Sequence, residues 1–340
     1  MSMWQVVLIL AVVLPPTIVL VQGRRYDKIN RKERIVKLSK AYIASIFVEL
    51  LLFIISGVLG FFDYVGRFSG ISGTLILFGP ALLPIIASTI LLAYYSEKET
   101  MNRKTLLLGF VLLLAIVFGT IFLFMATEGI TNFVIFIIYS MGVAEVFSKI
   151  VKKVGKGEVL TGELSEEIRE ICRRYGVKIK NIHVLKDDKP YALVSGFGGK
   201  DVYVTEGLLE KLDKDEVIAV IAHELGHVKK KHLFKSSIIP IVAVTLAIIP
   251  MNLDLPVWVV ISTVLLSIAL IIYDFTVLRL KNEYEADEFA AKIAGKEHII
   301  SALKKLAEIN EIPKDTPRWF DVMHSHPSIK KRIKRLEEMV

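Results

Sequence analysis

Long apolar runs alternate with short polar stretches along this chain. A membrane crossing takes about 20 apolar residues. Seven runs come close to that length: 4–22, 41–62, 73–95, 105–125, 130–148, 233–251 and 257–278. Each is expected to be a helix, because in lipid only a helix or a closed barrel satisfies every backbone polar group. Pro15 and Pro16 predict a kink in the first run. That run has the position of a signal peptide, but it lacks a basic start and is followed by Arg24-Arg25 rather than small residues. The fifth run is diluted by Thr131, Asn132, Ser140 and Gly142. Glu49, Glu145 and Asp274 fall inside runs. Intramembrane carboxylates face a bundle interior or a water-filled cavity. Glu49, near mid-run, is therefore the candidate for lining an aqueous chamber. Glu145 and Asp274 lie near run ends, where interfacial solvation suffices.

Two polar blocks remain, 149–232 and 279–340. In the first, Ser165 to Arg174 reads as a short amphipathic helix with Ile168, Ile171 and Cys172 on one face and Gly176 ending it. Three short apolar or alternating runs follow, Asn181–Leu185, Tyr191–Phe197 and Val202–Thr205, separated by turn signals. They predict a small antiparallel sheet. A further helix begins near Asp213, with Glu216 at capping-box spacing. The expected fold is a mainly α integral membrane protein of about seven transmembrane helices with an α+β domain. Its parts are 1–148 (five spans), 149–232 (the α+β part), 233–278 (a transmembrane hairpin) and 279–340 (helices).

Composition supports the membrane reading. Hydrophobic residues make up 53% of the chain, too much for a water-soluble protein of this size to bury and too much for disorder. Cys172 is the single cysteine, which excludes a disulfide scaffold. The net charge of +8 is concentrated in loops. Residues 23–40 carry eight Lys or Arg and residues 96–104 carry three, whereas 61–72 carry only Arg67 and 126–129 and 252–256 none. Basic loops stay in the cytoplasm. The N-terminus is then outside and both polar blocks are cytoplasmic, in a cytoplasmic-type membrane. No interleaving of aromatic and basic residues suggests nucleic acid; the lipid bilayer is the expected contact.

The helix that starts near Asp213 carries His223-Glu224-Leu225-Gly226-His227. Histidines at i and i+4 share one helix face and can reach one metal ion, for which neutral imidazole suits zinc. Glu224, beside the first ligand, is placed to act as general base and then to return the proton to a leaving amine. A third ligand is needed, and Asn282 to Asp287 supplies Glu283 and Asp287. The runs at 233–251 and 257–278 are joined by a short link, so they form an antiparallel pair. Their polar ends, one leading from His223/His227 and the other to Glu283, are thereby adjacent. Asp287, one turn beyond Glu283, can orient a ligand histidine through its far nitrogen, or stand as a solvated surface carboxylate. Glu285 is expected to point elsewhere, into solvent. His183, His232 and His298 lack ligand spacing and read as surface or packing residues, and Cys172 as inert core.

With Val217–His227 (VIAVIAHELGH), Glu283–Ala290 (EYEADEFA) and Ser325–Ile333 (SHPSIKKRI), the chain resembles the membrane zinc metalloproteases that include the heat-shock protease HtpX and the CAAX prenyl endoprotease. The resemblance covers about residues 160–340 and implies a cytoplasmic zincin-like (gluzincin) metalloprotease domain. It implies one Zn2+ per chain, held by His223, His227 and Glu283, with Glu224 as base. It further implies that His326 stabilises the oxyanion and that Arg332 orients its segment. His324 is two residues away from His326, but the Pro327 neighbour favours His326. Relatives usually carry Asn-Ala on the strand where substrate docks; here Tyr191-Ala192 stands there. Main-chain pairing of a substrate along 191–196 survives that change.

The expected activity is zinc-dependent cleavage of membrane-associated or unfolded proteins. Trimming of prenylated C-terminal peptides is the alternative substrate class. A zinc-regulated transporter or sensor is the alternative of another kind, but an open three-ligand site beside a carboxylate base describes catalytic zinc better.

Overall fold

The computed structural model describes residues 1–67, 70–97, 157–195, 201–248 and 256–339. The predicted spans at 105–125 and 130–148, with Glu145, lie outside the described residues. The chain divides into two units, Met1–Asn132 and Phe133–Val340.

In the first unit, α1 (Met3–Arg25), α2 (Arg31–Ser56) and α4 (Gly70–Glu97) pack pairwise against one another. A π turn at Gly57–Phe61 and the short α3 (Phe62–Val65) follow α2. α1 is a single helix with Pro15 and Pro16 inside it. Asn30 caps α2 by accepting from the Glu33 backbone N–H at 2.9 Å. Gly23 leaves room for the Tyr95 ring, the small-residue contact that membrane helices use to approach. The hydroxyls of Tyr42 and Thr89 meet at 2.8 Å between α2 and α4. Glu49 is 1% exposed, and neither of its carboxylate oxygens has a hydrogen-bond partner among the described residues.

Three helical stretches among the described residues are long and apolar enough to cross a membrane: Met3–Arg25, Arg31–Val65 and Ile261–Ala294. Large apolar side chains such as Phe47, Val58, Ile261 and Leu265 stand exposed on them, as lipid-facing residues do.

The second unit holds β1 (Glu158–Val159), α5 (Glu163–Tyr175), β2 (Asn181–Leu185), β3 (Ala192–Ser195) and β4 (Asp201–Thr205). The sheet has order β1-β2-β4-β3. It is mixed rather than antiparallel: β2 and β4 pair in parallel, while β1–β2 and β3–β4 are antiparallel. The cause lies in β4. Val202, Tyr203, Val204 and Thr205 are all buried, so this strand takes a central place, between β2 and β3. A hairpin from β3 then lays β4 along β2 in the same direction.

Helices follow: α6 (Glu206–Lys211), α7 (Lys214–Lys229), α8 (His232–Ile248), α9 (Val257–Tyr273), α10 (Arg279–Ala294), α11 (Lys296–Ile309), α12 (Arg318–His324) and α13 (Ile329–Glu337). Asp213 caps α7 in a capping box, with the Asp213 N–H donating to Glu216 Oε2 at 2.9 Å. Two apolar clusters clamp α7. Val217, Val220, Ile221 and Leu225 pack on the sheet and α5, and Ala219 and Ala222 pack on α10, α11 and α13. Cys172 belongs to the first cluster. α8 and α9 pack together, and the helix running from Ile261 to Ala294 carries α9 through a π turn, Asp274–Leu278, into α10.

α7 and α10 approach each other closely at Gly226. A Cβ on Gly226 would lie 3.0 Å from the Ala286 Cα and 3.2 Å from the Phe289 Cβ. The first of these neighbours is backbone and cannot swing aside. Gly226→Val should therefore force the helices apart and cost about 1–3 kcal/mol of stability, with Gly226→Ala milder. Thermal unfolding of the detergent-solubilised protein reads this; an unchanged melting point in Gly226→Val would refute the tight contact.

Candidate metal centre

The α7–α10 contact places the histidines of one helix against the carboxylate of the other. His223 Nε2 and His227 Nε2 face each other at 3.2 Å. Glu283 Oε1 is 3.4 Å from His227 Nε2, and Glu283 Oε2 is 3.7 Å from His223 Nε2. One ligand atom from each of the three lies within 4.8 Å of the others, the arrangement of a metal-binding group.

The far side of His223 is fixed by a carboxylate. His223 Nδ1 is 2.9 Å from Asp287 Oδ1, so the ring proton sits on Nδ1 and the Nε2 lone pair turns inward. Asp287 is 2% exposed, not a solvated surface group. Arg332 grips it from α13, donating through Nε to Oδ2 at 2.8 Å and through Nη2 to Oδ1 at 2.5 Å. The same guanidinium stands 3.9 Å from Glu283 Oε2. His326 Nδ1 lies 2.8 Å from that oxygen, with its own side chain 63% exposed. His324 packs on the Phe320 ring, away from the cluster.

Burial, reinforced by His223, pushes the His227 imidazole down to about 3, so it is a neutral ring with a free lone pair. Burial works against ionisation of Glu283, but His326, His223 and Arg332 outweigh it and hold this carboxyl well below the usual range. Burial pushes the Glu224 carboxyl up to about 7, with the neighbouring His223 opposing. A metal ion fits these residues. Two imidazole lone pairs point at each other and at an ionised carboxylate whose Oε2, buried, accepts no well-formed hydrogen bond. A cation resolves that concentration of acceptors.

β3 lies at the edge of the sheet and packs beside α7. Ala192 begins it, opposite Val204. Tyr191 is just outside; its N–H is bonded to Thr205 Oγ1 and its hydroxyl donates to Asp187 Oδ2, both at 3.1 Å. Glu49 belongs to the other unit, on α2.

Two residues at the site depart from the sequence expectation. His232, read as a surface or packing residue, is 2% exposed with Nδ1 3.0 Å from His227 Nδ1. Glu285, expected in solvent, has Oε2 3.2 Å from His232 Nε2. On a continuous helix, residues five apart do not face each other. Here α7 ends at Lys229, and Lys231 takes a left-handed φ of 55°, which folds His232 back onto His227. His183, by contrast, is a packing residue, stacked on Tyr203.

A centre of this chemistry, on a scaffold with membrane-length helices, is that of a membrane metallopeptidase. The chain belongs to peptidase family M48, whose description matches residues 158–340. It is similar to the protease HtpX homologue of Syntrophotalea carbinolica, 25% identical over 218 residues, or 54% of this chain and 78% of that protein. The Thermococcus sibiricus protease HtpX homologue is 26% identical over 215 residues, covering 52% of this chain and 73% of that one. The crystal structure of S. mikatae Ste24p shares the fold, with a TM-score of 0.57 at 17% identity over 99% of both chains.

The buried Asp287–Arg332 pair yields a stability prediction. Arg332 and His223 outweigh burial and hold Asp287 down to about 2, below its ordinary value of 3.8. A depressed folded value means the contribution is present above about pH 4 and is lost as pH falls toward 2. Asp287→Asn strands Arg332 and should cost about 3–5 kcal/mol near neutral pH. The acid loss of stability should also be shallower in the variant. Denaturant titrations at pH 7 and at successively lower pH measure both; equal stability of variant and parent at pH 7 would show that the pair carries no weight.

Proposed function

We propose that the protein is a zinc endopeptidase, one Zn2+ per chain, in which His223, His227 and Glu283 hold the ion. The observation that carries this reading is the convergence of those three side chains beside a half-buried carboxyl, Glu224, whose proton affinity lies near neutrality. When bound, the ion supplies Lewis acidity toward the scissile carbonyl and the attacking water. Glu224 takes the proton of that water and returns it to the departing amine; a carboxyl poised near 7 is suited to both transfers. His326, mostly exposed and next to Glu283, donates toward the developing oxyanion from the solvent side. Asp287, itself held by Arg332, keeps the proton of His223 on Nδ1. Substrate adds as a strand to the outer edge of β3, pairing with main chain from Ala192 onward. Because the Tyr191 hydroxyl is engaged by Asp187, this position offers backbone rather than a side-chain amide.

The proposal extends to the membrane frame: seven spans, the N-terminus outside, the catalytic unit and C-terminus cytoplasmic. Basic residues between the first two spans support that orientation. Glu49 is kept in it as the polar residue of an intramembrane path, because an intramembrane carboxylate with no hydrogen-bond partner among the described residues is expensive unless it serves function. Substrates are membrane-associated or unfolded polypeptides, with prenylated C-terminal peptides as the second class.

Purified protein in detergent, offered a prenylated C-terminal peptide and its unprenylated twin, tests this. Equal cleavage of both is expected, lost at least about 1,000-fold in Glu224→Gln with zinc retained. Strong preference for the prenylated peptide would shift the substrate to the second class. Zinc bound but neither peptide cut, with Glu224→Gln indistinguishable from the parent, would favour the sensor or transporter.

A further inference from the structure

His223 and His227 are supported unequally by the familiar elements of the site. Asp287 reaches the far nitrogen of His223 directly. Among the described residues no carboxylate reaches the far nitrogen of His227; a second imidazole stands there instead. His227 Nδ1 and His232 Nδ1 are 3.0 Å apart, and His232 Nε2 is 3.2 Å from Glu285 Oε2. Lys281 stands 3.7 Å from the other Glu285 oxygen, on the same helix. His232 opens α8 and Glu285 lies on α10, so the chain of contacts links two helices behind the ligand.

Only one placement of protons satisfies every contact with neutral rings. Glu285, a carboxylate, can only accept, so His232 carries its proton on Nε2 and donates it. His232 Nδ1 is then an acceptor, and His227 must donate from Nδ1. That leaves the His227 Nε2 lone pair facing His223 Nε2 and Glu283. The opposite placement sets a bare His232 Nε2 against a carboxylate oxygen. It also puts a proton on His227 Nε2, where a metal ion would need the lone pair.

We propose that His232 and Glu285 are positioning residues for the ligand His227: the carboxylate fixes the tautomer of His232, and His232 fixes the ring orientation and tautomer of His227. This rests on the reading of His223, His227 and Glu283 as zinc ligands. The two ligand imidazoles are then each anchored to a carboxylate on α10, one directly and one through a relay. Partners at this distance from a metal typically change its affinity about 10–100-fold when removed.

The test uses the full-length protein in detergent. Zinc affinity is measured by competition with a chromogenic chelator, and ligand geometry by the visible spectrum of the cobalt-loaded protein. His232→Ala should weaken zinc binding about 10–100-fold and alter the cobalt spectrum. His232→Asn, whose side-chain oxygen can accept from His227 Nδ1, should recover most of the affinity. Glu285→Ala should give a smaller loss in the same direction. Melting curves identify any variant that fails to fold; if His232→Ala does, the Asn and Glu285→Ala variants carry the comparison. Parent-like affinity and spectrum in His232→Ala, or equal losses in Ala and Asn, would overturn the relay. His223→Ala is the reference for the metal centre itself. If the parent binds no zinc, or His223→Ala binds it unchanged, the metal-centre reading falls and the relay with it. If His223→Ala loses zinc while His232→Ala does not, the relay alone falls.

Discussion

The candidate metal centre depends on how closely α7 approaches α10. The two helices meet at Gly226, where even one added carbon would press on the Ala286 backbone. At that separation Glu283, one turn before Ala286, reaches the histidines on either side of Gly226. A wider crossing would leave two imidazoles on one helix and a carboxylate on another, with no common point between their ligand atoms. The apolar clusters on either side of α7 hold this distance. One seats it on the sheet, the other on α10, α11 and α13, so α7 cannot recede from α10 without opening a buried face.

That closeness crowds charge as well as atoms. Glu283 and Asp287 are both nearly fully buried and share their surroundings with two imidazoles and Arg332. Buried ionised groups are tolerated when paired and hydrogen-bonded, and Arg332 does this for Asp287 with two aligned donors. Stability alone does not account for the pairing, since an apolar replacement of such a pair is often neutral or better. Its geometry serves orientation: Arg332 holds Asp287, Asp287 holds His223, and His223 Nε2 is aimed by a series of contacts that begins two helices away.

The sequence carried the local parts of this arrangement and missed those made by tertiary folding. The i, i+4 spacing of His223 and His227 belongs to one helix and is visible in a string of letters. Glu283 became visible through the membrane hairpin, because apolar runs joined by a short link imply adjacent ends. Asp287 followed from the helical turn after Glu283. His232 could not be seen this way. Five residues after His227, it would point away on a continuous helix, and only the left-handed Lys231 turns it back. Glu285 was misread for the same reason, since its partner was hidden. The sheet failed differently. Strand positions were readable from alternation, but the parallel pairing of β2 with β4 depends on which strand is buried most deeply, and β1, two residues long, is too short to show alternation.

The two breaks that escaped the sequence have a common consequence. Apolar packing between α8 and α9 sets how those helices face each other, and nothing in that packing knows where the ligands of α7 and α10 should point. If both helices ran on unbroken, the phase of each ligand face would be inherited from the hairpin. Lys231 interrupts one path and the π turn at Asp274–Leu278 interrupts the other. One extra residue in a turn rotates everything beyond it by about 100°. The rotation of each ligand face is thereby uncoupled from the packing of the hairpin. The left-handed residue costs about 1–2 kcal/mol. It sits where the next side chain, His232, is carried behind His227, a candidate metal ligand. Strain placed beside a site in this way is informative when the geometry it enforces is one that relaxed helix would not supply.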